Sequence, residues 1–186
     1  MSNSSPSQEQ MDTFVQMSSL LTGFNASVLA PSIDPTDLSG TLYQTAADHT
    51  GSTFDDLLTE YQNLVDQYAP GQTVDQMTEE QKEEIGRPLV EGTGPDDPVA
   101  ATARSIMKAW YLGSWYQPFN YQRFEEGNQS VISDQAYIQG LAWKVMQSHA
   151  MGYSTFTFGY WADDPPPLTD FTGNPAPTLG GKGDRQ

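Results

Sequence analysis

Asp97-Pro98-Val99-Ala100-Ala101-Thr102-Ala103-Arg104-Ser105-Ile106-Met107-Lys108-Ala109-Trp110-Tyr111-Leu112-Gly113 carries its own start, face and stop. Asp97 offers a carboxylate to cap the first turn, and Pro98 supplies a fixed φ where its missing N–H costs nothing. Val99, Ala103, Ile106, Met107 and Trp110 recur at the spacing of one helical face. Gly113 stands where a left-handed residue ends the helix. A helix over 98–112 is therefore expected, and the rest of the chain is read as elements that pack around it.

Upstream, Met11, Phe14, Val15, Ser18 and Leu21 share a face and Gly23 closes it, which predicts a helix over 8–22. Asp34 followed by Pro35 predicts a second helix over 35–49, with Leu38, Leu42, Ala46 and His49 on one face. Ser52 or Thr53 caps a third, whose buried stripe is Phe54, Leu57, Leu58, Tyr61, Leu64, Val65 and Tyr68 and which ends at Pro70-Gly71. Thr78-Glu79-Glu80-Gln81 has the form of a capping box for a short acidic fourth helix ending near Gly86, followed by a connector from Arg87 to Pro98. Downstream, the run from Trp115 to Ser133 is aromatic without a clean period, an irregular loop or short ribbon. Ser133 then caps a helix reaching His149, with Tyr137, Leu141 and Val145 on its buried side. The fold class expected is mostly α, an irregular bundle of about six helices with an aromatic-rich loop. Residues 1–10 read as a disordered arm, 11–164 as one helical domain and 165–186 as an extended Pro/Gly-rich tail. At ~3.3 Å per residue that tail could reach ~70 Å, enough to cross a neighbouring subunit.

The 186 residues are 37% hydrophobic and 11% aromatic, which suits one domain with a real core. Their formal charge of −16 opposes the phosphate neutralisation that drives nucleic-acid binding, so nucleic acid and anionic membrane surfaces are poor partners. The longest apolar run, Ala109–Leu112, is far below the ~20 residues that span a bilayer, so no direct membrane insertion is expected. The chain has no cysteine, which excludes disulfides, thiolate nucleophiles and zinc–thiolate or iron–sulfur sites. It shows no basic n-region and no paired arginines, hence no export address. Charge and aromaticity are segregated: residues 1–98 hold 17 acidic and 2 basic side chains, whereas all four tryptophans follow residue 100.

Reactive constellations are not found. His49 and His149 both end amphipathic helices, where an imidazole meeting the helix dipole is a better reading than a metal ligand. The acidic pairs Asp55-Asp56, Glu79-Glu80, Glu83-Glu84, Asp96-Asp97, Glu125-Glu126 and Asp163-Asp164 read as solvated faces rather than catalytic dyads. Glu91-Gly92-Thr93-Gly94-Pro95 lacks the third glycine and the preceding strand of a dinucleotide fingerprint, and no G-x-S-x-G elbow is present. The expectation is a chain without its own active site, metal or cofactor. What stands out is aromatic density: Trp110, Tyr111, Trp115 and Tyr116, then Phe156, Phe158, Tyr160 and Trp161. These eight are the candidate partner-interface residues, because rigid rings exclude water at low entropic cost. A self-contained core and a sugar-stacking surface are the other readings.

Ala103 to Gly113 resembles an A-x-x-I-x-x-A-W-Y-L-G block, Phe14 to Gly23 an F-x-x-x-S-x-x-L-T-G block, and Gly159-Tyr160-Trp161-Ala162 a G-Y-W-A block before prolines. In this order the three are similar to the small subunits of FAD-dependent sugar and polyol dehydrogenases, the D-sorbitol, fructose and glucose dehydrogenase complexes. The resemblance spans about residues 11–167. It implies a non-catalytic accessory subunit that binds and matures a GMC-type FAD-containing catalytic subunit, with a cytochrome c subunit taking the electrons. It also implies a periplasmic complex exported through a twin-arginine leader, or a cytoplasmic one where that leader is lacking. Where family members often carry a cysteine before G-Y-W-A, this chain has Ser154-Thr155-Phe156. A free-standing carbohydrate-binding module and, less favoured, a metal–carboxylate helical enzyme are the alternatives.

Overall fold

Ser7 opens the first helix with a reciprocal cap: its hydroxyl accepts from the Gln10 N–H while the Gln10 side chain accepts from the Ser7 N–H. The computed structural model describes residues 6–94, 96–118, 129–148, 150 and 172. Its helices are α1 (Gln8–Thr22), α2 (Ala26–Leu29), α3 (Leu38–Thr50), α4 (Ser52–Tyr68), α5 (Glu79–Glu91), α6 (Pro98–Leu112), α7 (Asp134–Ile138) and α8 (Leu141–Val145). A 3-10 turn at Val74–Gln76 precedes α5, and a two-stranded antiparallel ribbon pairs β1 (Ser114–Tyr116) with β2 (Gln129–Val131), Trp115 opposite Ser130. The protein is mostly helical, an irregular bundle, as the periodicities require.

α6 is the axis of the bundle. It packs against α1, α3, α4, α5 and α8, and its chain continues into β1. Ala100, Ala101, Ala103, Ser105 and Ala109 are all buried, so small residues line the sides on which neighbouring helices approach. Thr102, also buried, turns its hydroxyl onto the Pro98 carbonyl at 2.9 Å and so carries no unsatisfied polar group into the core. Phe14 of α1 lies at the centre. Its ring meets Tyr43 and Phe54 edge-on at 5.5 and 5.8 Å and stacks on Trp110 at 6.3 Å. Each such aromatic pair adds ~1 kcal/mol beyond area burial.

Three boundaries depart from expectation. The second predicted helix begins at Leu38, because the Asp34 carboxylate collects the amides of Thr36, Asp37 and Leu38 as a turn before the helix. Asp37, at φ 45°, is the residue that caps α3. α5 does not stop near Gly86 but runs through Pro88 to Glu91. The turn that Pro88 weakens places Leu89 beside Ile85, both fully buried, and that burial outweighs the lost hydrogen bond. The helix expected from Ser133 to His149 is split at Gly140. A Cβ there would lie 2.8 Å from the Tyr111 carbonyl oxygen, so the chain passes too close to the end of α6 to continue straight. The phase resets at that break, and Val145, expected on the buried side, is 45% exposed. The ribbon reading of the segment after Trp115 is realised by β1 and β2. The expected tail, 165–186, lies outside the described residues apart from Thr172.

Candidate docking surface

The C-terminal end of α6 organises the surface. Gly113 leaves the helix at φ 65°, its N–H bonded to the Ala109 carbonyl, and its own carbonyl accepts from Ile132 N–H at 3.1 Å. The backbone of Ala136 and Tyr137 at the start of α7 lies directly over its α-carbon: a Cβ at this position would come within 2.5 Å of both residues. One residue thus joins α6, the ribbon and α7. Gln139 at the end of α7 reaches back with its side-chain amide to the Thr36 hydroxyl at 2.8 Å, tying the same end to the loop before α3.

The structure divides the eight candidate interface aromatics. Trp110 and Trp115 are only 2% and 1% exposed. They are core residues and present no surface to a partner, which corrects the expectation for both. Trp110 is interior because it lies on the face of α6 that packs into the core, where its ring stacks on Phe14 of α1. Trp115 is interior because the turn at Gly113 brings β1 back against α3, where the His49 ring stacks on it at 5.2 Å and 18° between planes. His49 Nδ1 also lies 3.0 Å from the Gln117 side-chain nitrogen, so this histidine is a lid on a tryptophan at the last turn of α3. Tyr111 and Tyr116 remain partly exposed. Tyr111 donates its phenol to the Thr22 carbonyl at 2.8 Å, satisfying one of the last orphan acceptors of α1, and burial pushes its pKa up. The Tyr116 ring lies beneath the Lys108 ammonium, 5.5 Å from nitrogen to centroid, a contact worth ~0.5–1 kcal/mol. Phe156, Phe158, Tyr160 and Trp161 lie outside the described residues, as does His149.

The residues that do expose apolar surface are others. Leu112 at the end of α6 is 44% exposed, Val131 on β2 67%, Val145 in α8 and Met146 just after it are exposed, and α8 packs on α6; Ile33, 86% exposed, stands apart in the loop before α3. Leu112 was legible as an apolar residue two positions off the stripe of α6. Val131 carried no signal, since it sits in a segment with no usable period, and Met146 sits next to Val145 in the expected helix from Ser133 to His149, where the break at Gly140 resets the phase. Beside them Trp143 donates its indole N–H to the Tyr137 carbonyl at 2.8 Å and meets the Tyr137 ring edge-on at 5.4 Å, so its polar atom faces inward.

The acidic side chains are of another kind. Asp55, Asp56, Glu79, Glu80, Glu83 and Glu84 are exposed, and no group of three or more His, Asp or Glu among the described residues could hold a metal ion. Lys82 pairs with Glu79 at 2.9 Å, and Arg87 with Glu83. Asp97 is structural: its carboxylate accepts from the amides of Thr93, Val99 and Ala100 and from the Thr93 hydroxyl, and these bonds hold its pKa down at about 2. Glu60, half-buried, has its pKa pushed up by burial and by the charge of Asp97. No helix among the described residues is long and apolar enough to cross a membrane. Comparison with protein-family models gives no match for this chain, and comparison with curated proteins gives none.

Proposed function

We infer that this chain is a non-catalytic accessory subunit that binds and stabilises the FAD-containing catalytic subunit of a GMC-type sugar or polyol dehydrogenase. The observation that supports it is the joint packing of two of the three sequence blocks on which the resemblance rests. Phe14 stacks on Trp110, the Tyr111 phenol closes the carbonyl of Thr22, and both blocks end in a left-handed glycine, Gly23 and Gly113. Residues that are separate in sequence form one unit, which is what a family signature does when it encodes a scaffold rather than a reaction centre. That scaffold fixes the end of α6, where Leu112, Val131, Val145 and Met146 give a partner an apolar surface beside Tyr111 and Tyr116.

In this reading the flavin and the chemistry belong to the partner, a cytochrome c subunit takes the electrons, and the complex works in the periplasm. The test is co-expression of the tagged chain with a flavoprotein of the sorbitol, fructose or glucose dehydrogenase type. Flavin absorbance and dye-reducing activity should co-purify with it in a fixed ratio. Recovery of a colourless chain, with active flavoprotein left in the flow-through, overturns the reading.

A further inference from the structure

A groove runs along the seam between α1 and α4, where two cavities of about 700 and about 360 Å³ meet on Glu9, Thr13 and Gln62. Gln62 ties the two walls together by donating its side-chain amide to the Thr13 hydroxyl at 3.0 Å. Asp12 and Asp66 line the larger cavity and Asp55 the smaller, so with Glu9 four exposed carboxylates border the groove. Among the described residues no lysine or arginine lines it. Asp55 and Asp66 lie 11 positions apart on α4, or ~16 Å at ~1.5 Å per residue, so the charges are strung along a trough. They are not gathered to a point, and no three of them could hold a metal ion. Tyr61 is the second feature that points to a ligand. It is only 5% exposed yet forms part of the larger cavity's wall. Among the described residues its phenol has no hydrogen-bond partner, and its oxygen is not sealed from solvent, so it opens into the groove. Burial pushes its pKa up, which keeps it a neutral hydroxyl with lone pairs to offer. Leu58 and Val65 add apolar surface between the charges.

We propose that this groove binds a linear polyamine, an extended cation whose ammonium groups pair with Asp55, Glu9, Asp12 and Asp66 along the trough. One ammonium donates to the Tyr61 hydroxyl, which supplies the partner that the phenol lacks, and the methylene stretches lie on Leu58 and Val65. The alternation of charge and apolar surface in the wall matches the alternation of ammonium and methylene in the ligand. This inference does not depend on the accessory-subunit reading, since the groove needs no partner chain.

The test titrates spermine into the full chain by calorimetry at ~0.15 M salt, where exposed charges more than ~8 Å away are largely screened. Wild type should bind saturably at one equivalent. The Asp12→Asn, Asp66→Asn double variant removes two exposed carboxylates from the groove and should weaken binding about tenfold. Glu80→Gln, Glu84→Gln removes the same charge from α5, outside the groove, and should leave the affinity unchanged. Tyr61→Phe keeps the buried ring and loses only the hydroxyl, and should cost about fivefold. Four results would overturn the proposal. Absence of saturable binding removes the site, and equal weakening by the two double variants reduces it to attraction by net charge. Unchanged affinity in Tyr61→Phe means that the ligand does not sit where the phenol opens. Saturable binding of glucose in place of spermine would make the groove a site for neutral polyols.

Discussion

Gly23 and Gly113 end α1 and α6 in the same left-handed conformation, at φ 75° and 65°, yet their surroundings differ completely. A Cβ on Gly23 meets nothing within 4 Å, whereas one on Gly113 runs into backbone atoms of Ala136 and Tyr137 at 2.5–2.6 Å. Alanine at either position carries the left-handed penalty of ~1 kcal/mol. At Gly113 it must also displace main chain, which cannot swing aside as a flexible side chain would, and forced overpacking of this kind costs ~1–3 kcal/mol more. Gly23→Ala should therefore lose ~1 kcal/mol and Gly113→Ala ~3. For a chain of this length these are drops of roughly 3 °C and 9 °C in Tm. Urea unfolding followed by far-ultraviolet circular dichroism gives both values from the midpoints at common slope. Equal losses for the two variants would refute the claim that Gly113 is the joint of α6, the ribbon and α7.

Three further outcomes follow from the same geometry. Asp97 has a folded-state pKa of about 2 against an ordinary 3.8, so the stability it supplies is complete above about pH 4 and is lost as pH falls through 2. Discounted for solvent screening this is ~1 kcal/mol, and Asp97→Asn should flatten that part of the acid-unfolding profile by about as much. Tyr111→Phe leaves the Thr22 carbonyl without its 2.8 Å donor and should cost ~1 kcal/mol in urea unfolding, with no change in the ribbon's amide exchange. Pro88→Ala restores a hydrogen-bond donor inside α5 and should raise the unfolding free energy by ~1 kcal/mol or more in urea titration; a loss would mean that the proline ring itself is needed in the packing.

How far the fold could be read depended on whether a segment's signals were local. α6 was legible in full, because its cap, stripe and terminating glycine all lie at or within the helix; α1 was legible from its stripe and Gly23, while the Ser7 capping box was not read. Asp34-Pro35 misled, since the same carboxylate that caps a helix can equally close a turn, and only the amides it reaches decide which. Pro88 and Gly140 misled in opposite senses. A proline was overridden by the burial of Leu89, and an unremarkable glycine became a break because the Tyr111 carbonyl lies against it. Both outcomes were set by tertiary neighbours that no window of sequence contains. The candidate site divided in the same way: aromatic density singled out the end of α6 and β1, but it did not say which side chains face out. Trp110 and Trp115 turn inward, and the exposed apolar groups are the plainer Leu112, Val131, Val145 and Met146.

The central claim is that this end of α6 docks a flavoprotein. The most direct measurement titrates the purified chain into the isolated FAD-containing catalytic subunit and follows complex formation by sedimentation at the flavin absorbance, comparing wild type with Val131→Asp. Val131 is 67% exposed on β2, so a carboxylate there leaves the fold intact while charging the apolar surface. The account predicts saturable binding for wild type and at least a tenfold weaker complex for Val131→Asp. Equal binding by the two chains, or no complex with wild type, would contradict it.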